Sequence, residues 1–146
     1  SEKIFLLSFH GGNKHILRVF ESDWNYSNNK PKVCVVEFST SITDILEENL
    51  LGGIVDSHAG NGEISIGQFL FPSDVKFNKK NKKKEIILTN VFKMGKTIEY
   101  STTGIIDANP KWIVSSKIGE KILNAYVDQC INFINKQLSQ QRRSKR

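Results

Sequence analysis

The sequence predicts an α/β fold, a layered and mainly parallel β-sheet flanked by helices. Strand-like apolar runs alternate with stretches whose apolar residues recur at helical spacing, which is the pattern of parallel sheets with helical crossovers. The clearest strands are residues 3–9 (KIFLLSF) and 33–38 (VCVVEF). Both runs are nearly continuous in apolar residues, which indicates strands covered on both faces.

The helices follow from apolar residues at a period near 3.6. In the first predicted helix these are Ile16, Leu17, Phe20 and Trp24, and Asn13 is placed to cap it. We expect helices at residues 14–25, 39–51, 62–71 and 115–137, and a further strand at 86–92.

Length and composition indicate one domain. The chain has 146 residues, of which 38% are hydrophobic and 25% charged. We expect a single α/β domain over residues 1–138 and a basic, disordered tail over 139–146. No apolar run approaches the roughly 20 residues of a membrane span. Cys34 and Cys130 lack the spacing of a disulfide framework, which favours a cytoplasmic protein with reduced thiols.

The net charge of +6 is concentrated in two places, a lysine run at residues 79–84 and a basic cluster at 142–146. Such a run is typical of a solvated loop. A nucleic-acid-binding module is a weaker alternative, since no aromatic residues interleave with the lysines to stack on bases. Nucleic acid is therefore not the partner that we expect.

Two glycine-rich segments carry the residues best suited to catalysis. Residues 10–13 (HGGN) follow the first strand, and ligands bind at the carboxyl ends of strands in α/β sheets. Residues 56–65 (DSHAGNGEIS) place His58 between the carboxylates of Asp56 and Glu63. Imidazole and carboxylate groups suit zinc, manganese or iron, and an imidazole also moves protons. Each segment alone is equally well explained as a turn.

Taken in order, the two segments resemble the creatininase family. That family has a segment of the type Asn-Gly-His-Gly-Gly-Asn and, later, one of the type Asp-x-His-Ala-Gly-Glu-x-Glu-Thr-Ser. This chain has SFHGGN at residues 8–13 and DSHAGNGEIS at residues 56–65, and its residues 104–110 resemble the turn before the family's last helix. The resemblance covers most of this chain and corresponds to the C-terminal half of the family pattern. It implies a creatininase-like fold that is incomplete at the N-terminus.

The resemblance implies a role for each site residue. His10 and Glu63 are the expected ligands of a divalent metal ion (Zn, Mn or Fe), and His58 is expected to assist proton transfer. Gly11, Gly12, Asn13, Asp56 and Gly60 form the supporting turns. The implied function is a metal-dependent amidohydrolase, or one half or subunit of it, that hydrolyses a non-peptide C–N bond of a small cyclic amide or formamide.

This chain departs from the family pattern at several positions. Ser8 and Phe9 replace Asn-Gly, Asn61 replaces the first Glu, and Ile64 replaces Thr. The family's Glu-x-His segment and its following Asp are missing. The ligand set is therefore incomplete, because a catalytic zinc normally takes three protein ligands. We expect a homo-oligomer, or a separate chain that carries the N-terminal half. The alternative is a catalytically inactive structural or interaction subunit.

Overall fold

The protein is α/β in a computed structural model that describes residues 3–36, 46, 49–53, 56–78, 106–107, 109 and 111–143. The elements in chain order are β1 (Lys3–Leu7), α1 (Lys14–Ser27), β2 (Lys32–Val36), β3 (Asp56–His58), α2 (Asn61–Leu70), β4 (Ile106–Asp107) and α3 (Ser116–Arg143). A 3-10 turn at Gly11–Asn13 precedes α1. The chain divides into two compact units, the first formed by residues 1–39 and 126–146 and the second by 40–125.

The sheet of the first unit is a parallel pair. β1 lies beside β2 with Lys3 opposite Lys32 and Leu7 opposite Val36. Residues 33–36 of β2 are buried, which confirms the second predicted strand. β1 is not covered on both faces, because Ile4 and Leu7 keep 42% and 49% of their surface exposed. For β1 the predicted burial is therefore wrong, although the strand itself is confirmed.

Side chains of α1 close the outer edge of β2. Asn25 Nδ2 donates to the Val33 carbonyl at 2.7 Å, and the Val33 amide donates to Asn25 Oδ1 at 2.8 Å. One helical turn earlier, Glu21 Oε1 accepts the Val35 amide at 2.9 Å. Four residues of a helix rise about 6 Å and two residues of a strand about 6.6 Å, so the spacings match. These polar groups would otherwise bind another strand.

Leu17 and Trp24 lie on the side of α1 that faces this strand edge and are half-buried, whereas the other apolar residues of α1 are exposed. None of the described side chains of α1 is buried, and Ile16, Val19 and Phe20 are 68%, 60% and 45% exposed. Lys32 Nζ donates to the carbonyls of Asn25 and Asn28, at the helix end where a positive charge is favourable. The helix predicted at this position is confirmed, and its hydrogen bonds to the strand come from polar side chains.

The second unit contains an antiparallel strand pair. Asp56 of β3 lies opposite Asp107 of β4, and His58 lies opposite Ile106 with an irregularity between them. The predicted parallel sheet is therefore found only as the small β1–β2 pair, and the described residues do not contain a larger layered sheet.

Helix α2 buries its small and polar residues. Asn61, Gly62 and Ser65 are its buried residues, whereas Phe69 and Leu70 near its end are 36% and 45% exposed. The reason is a close approach of backbone to backbone. The α-carbon of Gly119 in α3 lies so close to α2 that a Cβ there would sit 2.0 Å from the Ser65 carbonyl oxygen. Bulky side chains are excluded from such a contact.

Helix α3 confirms the helix that the sequence predicts at residues 115–137. Ile122 and Cys130 are buried in it, while Ile131 is 50% exposed. The helix ends at Arg143, so it includes residues 139–143 of the stretch that the sequence assigned to a basic tail. None of the described helices combines the length and the hydropathy needed to cross a membrane.

Several predictions concern residues outside those that the structure describes. The strand at 86–92, the lysine run at 79–84, most of the helix at 39–51 and residues 144–146 belong to this group. The single domain over residues 1–138 stays a prediction, since each of the two units is compact by itself.

Both cysteines are free and buried. Burial raises the pKa of the Cys34 thiol, with a smaller opposing effect from Lys3 and a smaller reinforcing one from Glu21. Burial also raises the pKa of Cys130. Both thiols are therefore neutral near pH 7, which is the unreactive form. Neither cysteine has the properties of a catalytic nucleophile.

Gly119→Ala tests the contact between α2 and α3. Alanine gains about 1 kcal/mol of helix propensity over glycine. The new Cβ would lie 2.0 Å from Ser65 O and 2.6 Å from Ile66 N, both rigid backbone atoms. Because the clash outweighs the propensity gain, we expect a net loss of about 2 kcal/mol or more in the free energy of unfolding.

Urea denaturation measures this loss. Lys121→Ala is the control on the same helix, since Lys121 is exposed. We expect its effect to stay within about 0.5 kcal/mol. An unfolding midpoint for Gly119→Ala equal to that of the wild type would contradict the close approach.

Candidate functional site

The loop that carries His10 is held by the hydroxyl group of Ser8. Ser8 Oγ accepts the His10 amide at 3.3 Å and Asn13 Nδ2 at 3.1 Å. The Asn13 amide donates to the His10 carbonyl at 3.0 Å, which closes the turn. Ser8, one of the departures from the family pattern, is therefore the residue that ties this loop together.

The ring of His10 lies against the α-carbon of Gly12. A Cβ at residue 12 would be 3.0 Å from His10 Nε2, while the backbone of Gly12 has no positive φ. A side chain at residue 12 would therefore press on the imidazole, and the exposed ring would have to shift slightly. His10 itself is exposed.

His58 lies at the end of β3, on a sharp turn into α2. It is half-buried and is followed by Ala59, whose φ of +49° is unusual for a residue with a side chain. Gly60 then precedes the first residue of the helix and is buried. The backbone position of His58 is therefore set by β3 on one side and by the turn into α2 on the other.

Glu63 folds back onto this turn. Its Oε2 accepts a short hydrogen bond from the Ala59 amide. Glu63 is the third residue of α2, and a Glu at that position commonly pairs with an amide just before the helix. The exposed carboxylate therefore caps α2, and its negative charge is favourable at a helix start.

Asn61 and Ser65 join α2 to the extended segment at residues 111–115. Asn61 Nδ2 donates to the Lys111 carbonyl at 3.0 Å, and Asn61 Oδ1 accepts the Ile113 amide at 2.9 Å. Ser65 Oγ accepts the Ser115 amide at 3.2 Å. Both side chains are 0% exposed, so their hydrogen bonds are shielded from water.

Asn109 extends this set of buried polar groups. Its Nδ2 donates to the Leu51 carbonyl at 2.7 Å, and its Oδ1 accepts the Lys111 amide at 3.0 Å. Asn109 is 4% exposed and Leu51 is 1% exposed. The segment at residues 111–115 is thus fixed from two sides by amide side chains.

The second unit brings the turn of His58 and the carboxylate of Glu63 together, because Glu63 binds the residue after His58. His10 belongs to the first unit. An imidazole and a carboxylate are suitable ligands for zinc, manganese or iron. Among the described side chains, however, no three His, Cys, Asp or Glu residues cluster as a metal site would require. The donor types fit a metal ion, and the donor number does not.

The predicted supporting residues have different structural roles. Asn13 precedes α1 but does not cap it, because its side chain donates to Ser8. Asp56 pairs through β3, and Gly60 directly precedes α2. Sequence reasoning missed the buried functions of Asn61, Ser65 and Asn109. The spacing of Asn61 and Ser65, one helical turn apart, was the available signal.

Comparison with known proteins gives one match. The family model described as "Creatininase: Creatinine amidohydrolase" matches residues 1–134, which include both glycine-rich segments. The match covers far more than half of the chain. No curated protein matches it.

Glu63→Gln and Glu63→Ala separate the capping function of Glu63 from its charge. Glutamine keeps an oxygen that can accept the Ala59 amide, whereas alanine keeps none. We expect Glu63→Ala to lower the free energy of unfolding by about 1 kcal/mol and Glu63→Gln by less than about half of that. Thermal unfolding of the three proteins measures it. Equal stability of the alanine variant and the wild type would show that Glu63 is not a cap.

Proposed function

Because this chain belongs to the creatininase family, we propose that it is a metal-dependent amidohydrolase, or one subunit of such an enzyme. The substrate class is a small cyclic amide or a formamide, with hydrolysis at a non-peptide C–N bond. Family membership indicates amidohydrolase activity, and members of the family are typically metalloenzymes. The supporting structural observation is the strained turn from His58 to α2 with Glu63 bound to it.

In this proposal His10 and Glu63 bind the metal ion. When bound, a divalent ion polarises the amide carbonyl and lowers the pKa of a water molecule. The contact between Glu63 and the Ala59 amide is compatible with that role, because ligating carboxylates are commonly held by a further hydrogen bond. Ser8 plays the equivalent part for His10 by fixing the backbone of its loop.

His58 is the proposed proton donor. An imidazole changes its protonation state near neutral pH, which suits it to protonate a leaving nitrogen. Its half-buried position at the end of β3 limits the directions in which the ring can turn. The turn that follows sets how far the ring reaches into a substrate site.

The remaining metal ligands come from outside the described side chains in this proposal. We propose another chain as their source, either a second copy or a separate chain with the family's N-terminal half. Two features support association. The apolar residues Ile16, Val19 and Phe20 are exposed on α1. The outer edge of β2 is closed by Glu21 and Asn25, so a further strand of this sheet would pair with β1.

A cytoplasmic location is part of the same proposal, because the two free cysteines are those of a protein in a reducing compartment. A catalytically inactive subunit of the same family is the alternative. The hydrogen bond from the Ala59 amide to Glu63 favours the inactive subunit, because it gives the carboxylate a structural function that needs no metal ion.

Metal content tests the proposal. The chain is purified from cells with whatever partner accompanies it, and its zinc, manganese and iron are measured by mass spectrometry. We expect His10→Ala to lower the bound metal by about tenfold or more, because a direct ligand is lost. His15→Ala is the matched control, since His15 is also exposed and is the second residue of α1.

Two results would contradict the proposal. One is a wild-type protein without metal that hydrolyses neither cyclic amides nor formamides when these three ions are supplied. The other is equal metal content in the His10→Ala and His15→Ala variants. Either result would favour the inactive subunit.

A further inference from the structure

Asn61 is the fully buried residue closest in sequence to the proposed site of the second unit. It begins α2, three residues after His58 and two before Glu63. Both atoms of its side-chain amide that can form hydrogen bonds are used, Nδ2 toward Lys111 and Oδ1 toward Ile113. The first residue of α2 is therefore attached to the backbone of a distant segment at two points.

Ser65 makes a similar attachment one turn later. It is equally buried and binds the Ser115 amide. Because four helical residues and two extended residues span nearly the same distance, Asn61 and Ser65 bind successive alternate residues of one segment. The two side chains thus share a helix face, a partner segment and their burial. They differ in their distance from the turn at His58.

That turn requires support from its surroundings. Ala59 has a φ of +49°, which costs a residue with a side chain some strain. A strained backbone persists only where its neighbours fix it on several sides. On one side Glu63 accepts the Ala59 amide, and on the other the helix start is fixed by Asn61. Without Asn61 the first turn of α2, which carries Glu63, could shift away from residue 59.

We propose that Asn61 is a positioning residue that holds the turn from His58 to Glu63 in its active geometry, whereas Ser65 stabilises the same helix without that function. The catalytic meaning of this assignment rests on the proposed function. Its structural content, that the turn depends on Asn61 and not on Ser65, does not. Asn61 stands where the family pattern has Glu, so this chain holds the turn through an uncharged amide.

The test compares Asn61→Ala with Ser65→Ala. The first readout is amide hydrogen exchange at Ala59 in the metal-free protein, relative to the slowest-exchanging amides of the same variant. We expect exchange about tenfold faster in Asn61→Ala and within about threefold of the wild type in Ser65→Ala. The second readout is the Zn²⁺ dissociation constant, expected to rise about tenfold in the first variant and to stay within about twofold in the second.

The outcomes separate the two proposals. Unchanged exchange at Ala59 in Asn61→Ala, or equal acceleration in both variants, would overturn the positioning role. Faster exchange in Asn61→Ala alone, with no Zn²⁺ binding by the wild-type protein purified together with its partner chain, would support the positioning role and count against the metal-dependent function. If Asn61→Ala does not fold, Asn61→Asp takes its place, because it keeps the shape of the side chain and the acceptor for Ile113 while it replaces the donor to Lys111 with an oxygen that repels that carbonyl.

Discussion

Backbone amide and carbonyl groups need hydrogen-bond partners, and this need determines how α1 lies against β2 and how α2 lies against residues 111–115. Strand β2 and the segment at 111–115 both present amide and carbonyl groups that another strand would normally satisfy. Here helical side chains one turn apart do so, Glu21 with Asn25 in the first unit and Asn61 with Ser65 in the second. Since a helical turn and two extended residues have nearly the same length, a helix can replace a neighbouring strand.

This constraint explains which parts of the fold the sequence predicts. The short strands β3 and β4 were not predicted, whereas β1, β2 and the helices α1, α2 and α3 lie where apolar periodicity indicates. The buried faces do not follow from it. In α1 most of the apolar residues are exposed, and in α2 the buried residues are small or polar. A prediction from apolar periodicity takes the apolar side of a helix to be its buried side. These helices also use polar side chains, which form hydrogen bonds with the backbone of a neighbouring segment.

The candidate site is predictable to a similar degree. The motifs predict His10, His58 and Glu63 as site residues, which stays a proposal, and the family match over residues 1–134 includes both motifs. The hydrogen bond that Glu63 makes at the start of α2 was not predicted, because the sequence pattern assigned the same carboxylate to a metal ion. The supporting role of Ser8 and Asn61 was hidden for another reason. Both residues are departures from the family pattern, and the sequence therefore indicated only that a family residue was missing at each position. In the structure Ser8 binds the loop of His10, and Asn61 binds the segment at residues 111–115.

The central claim is that side chains of α1 and α2 pair the backbone of the two extended segments. Amide hydrogen exchange of the wild-type protein tests it most directly, at Val33, Val35, Ile113 and Ser115. The account predicts that these four amides, each bound to a helical side chain, exchange at least roughly a thousandfold more slowly than in an unfolded chain. Exchange at the rate of an unfolded chain would contradict it.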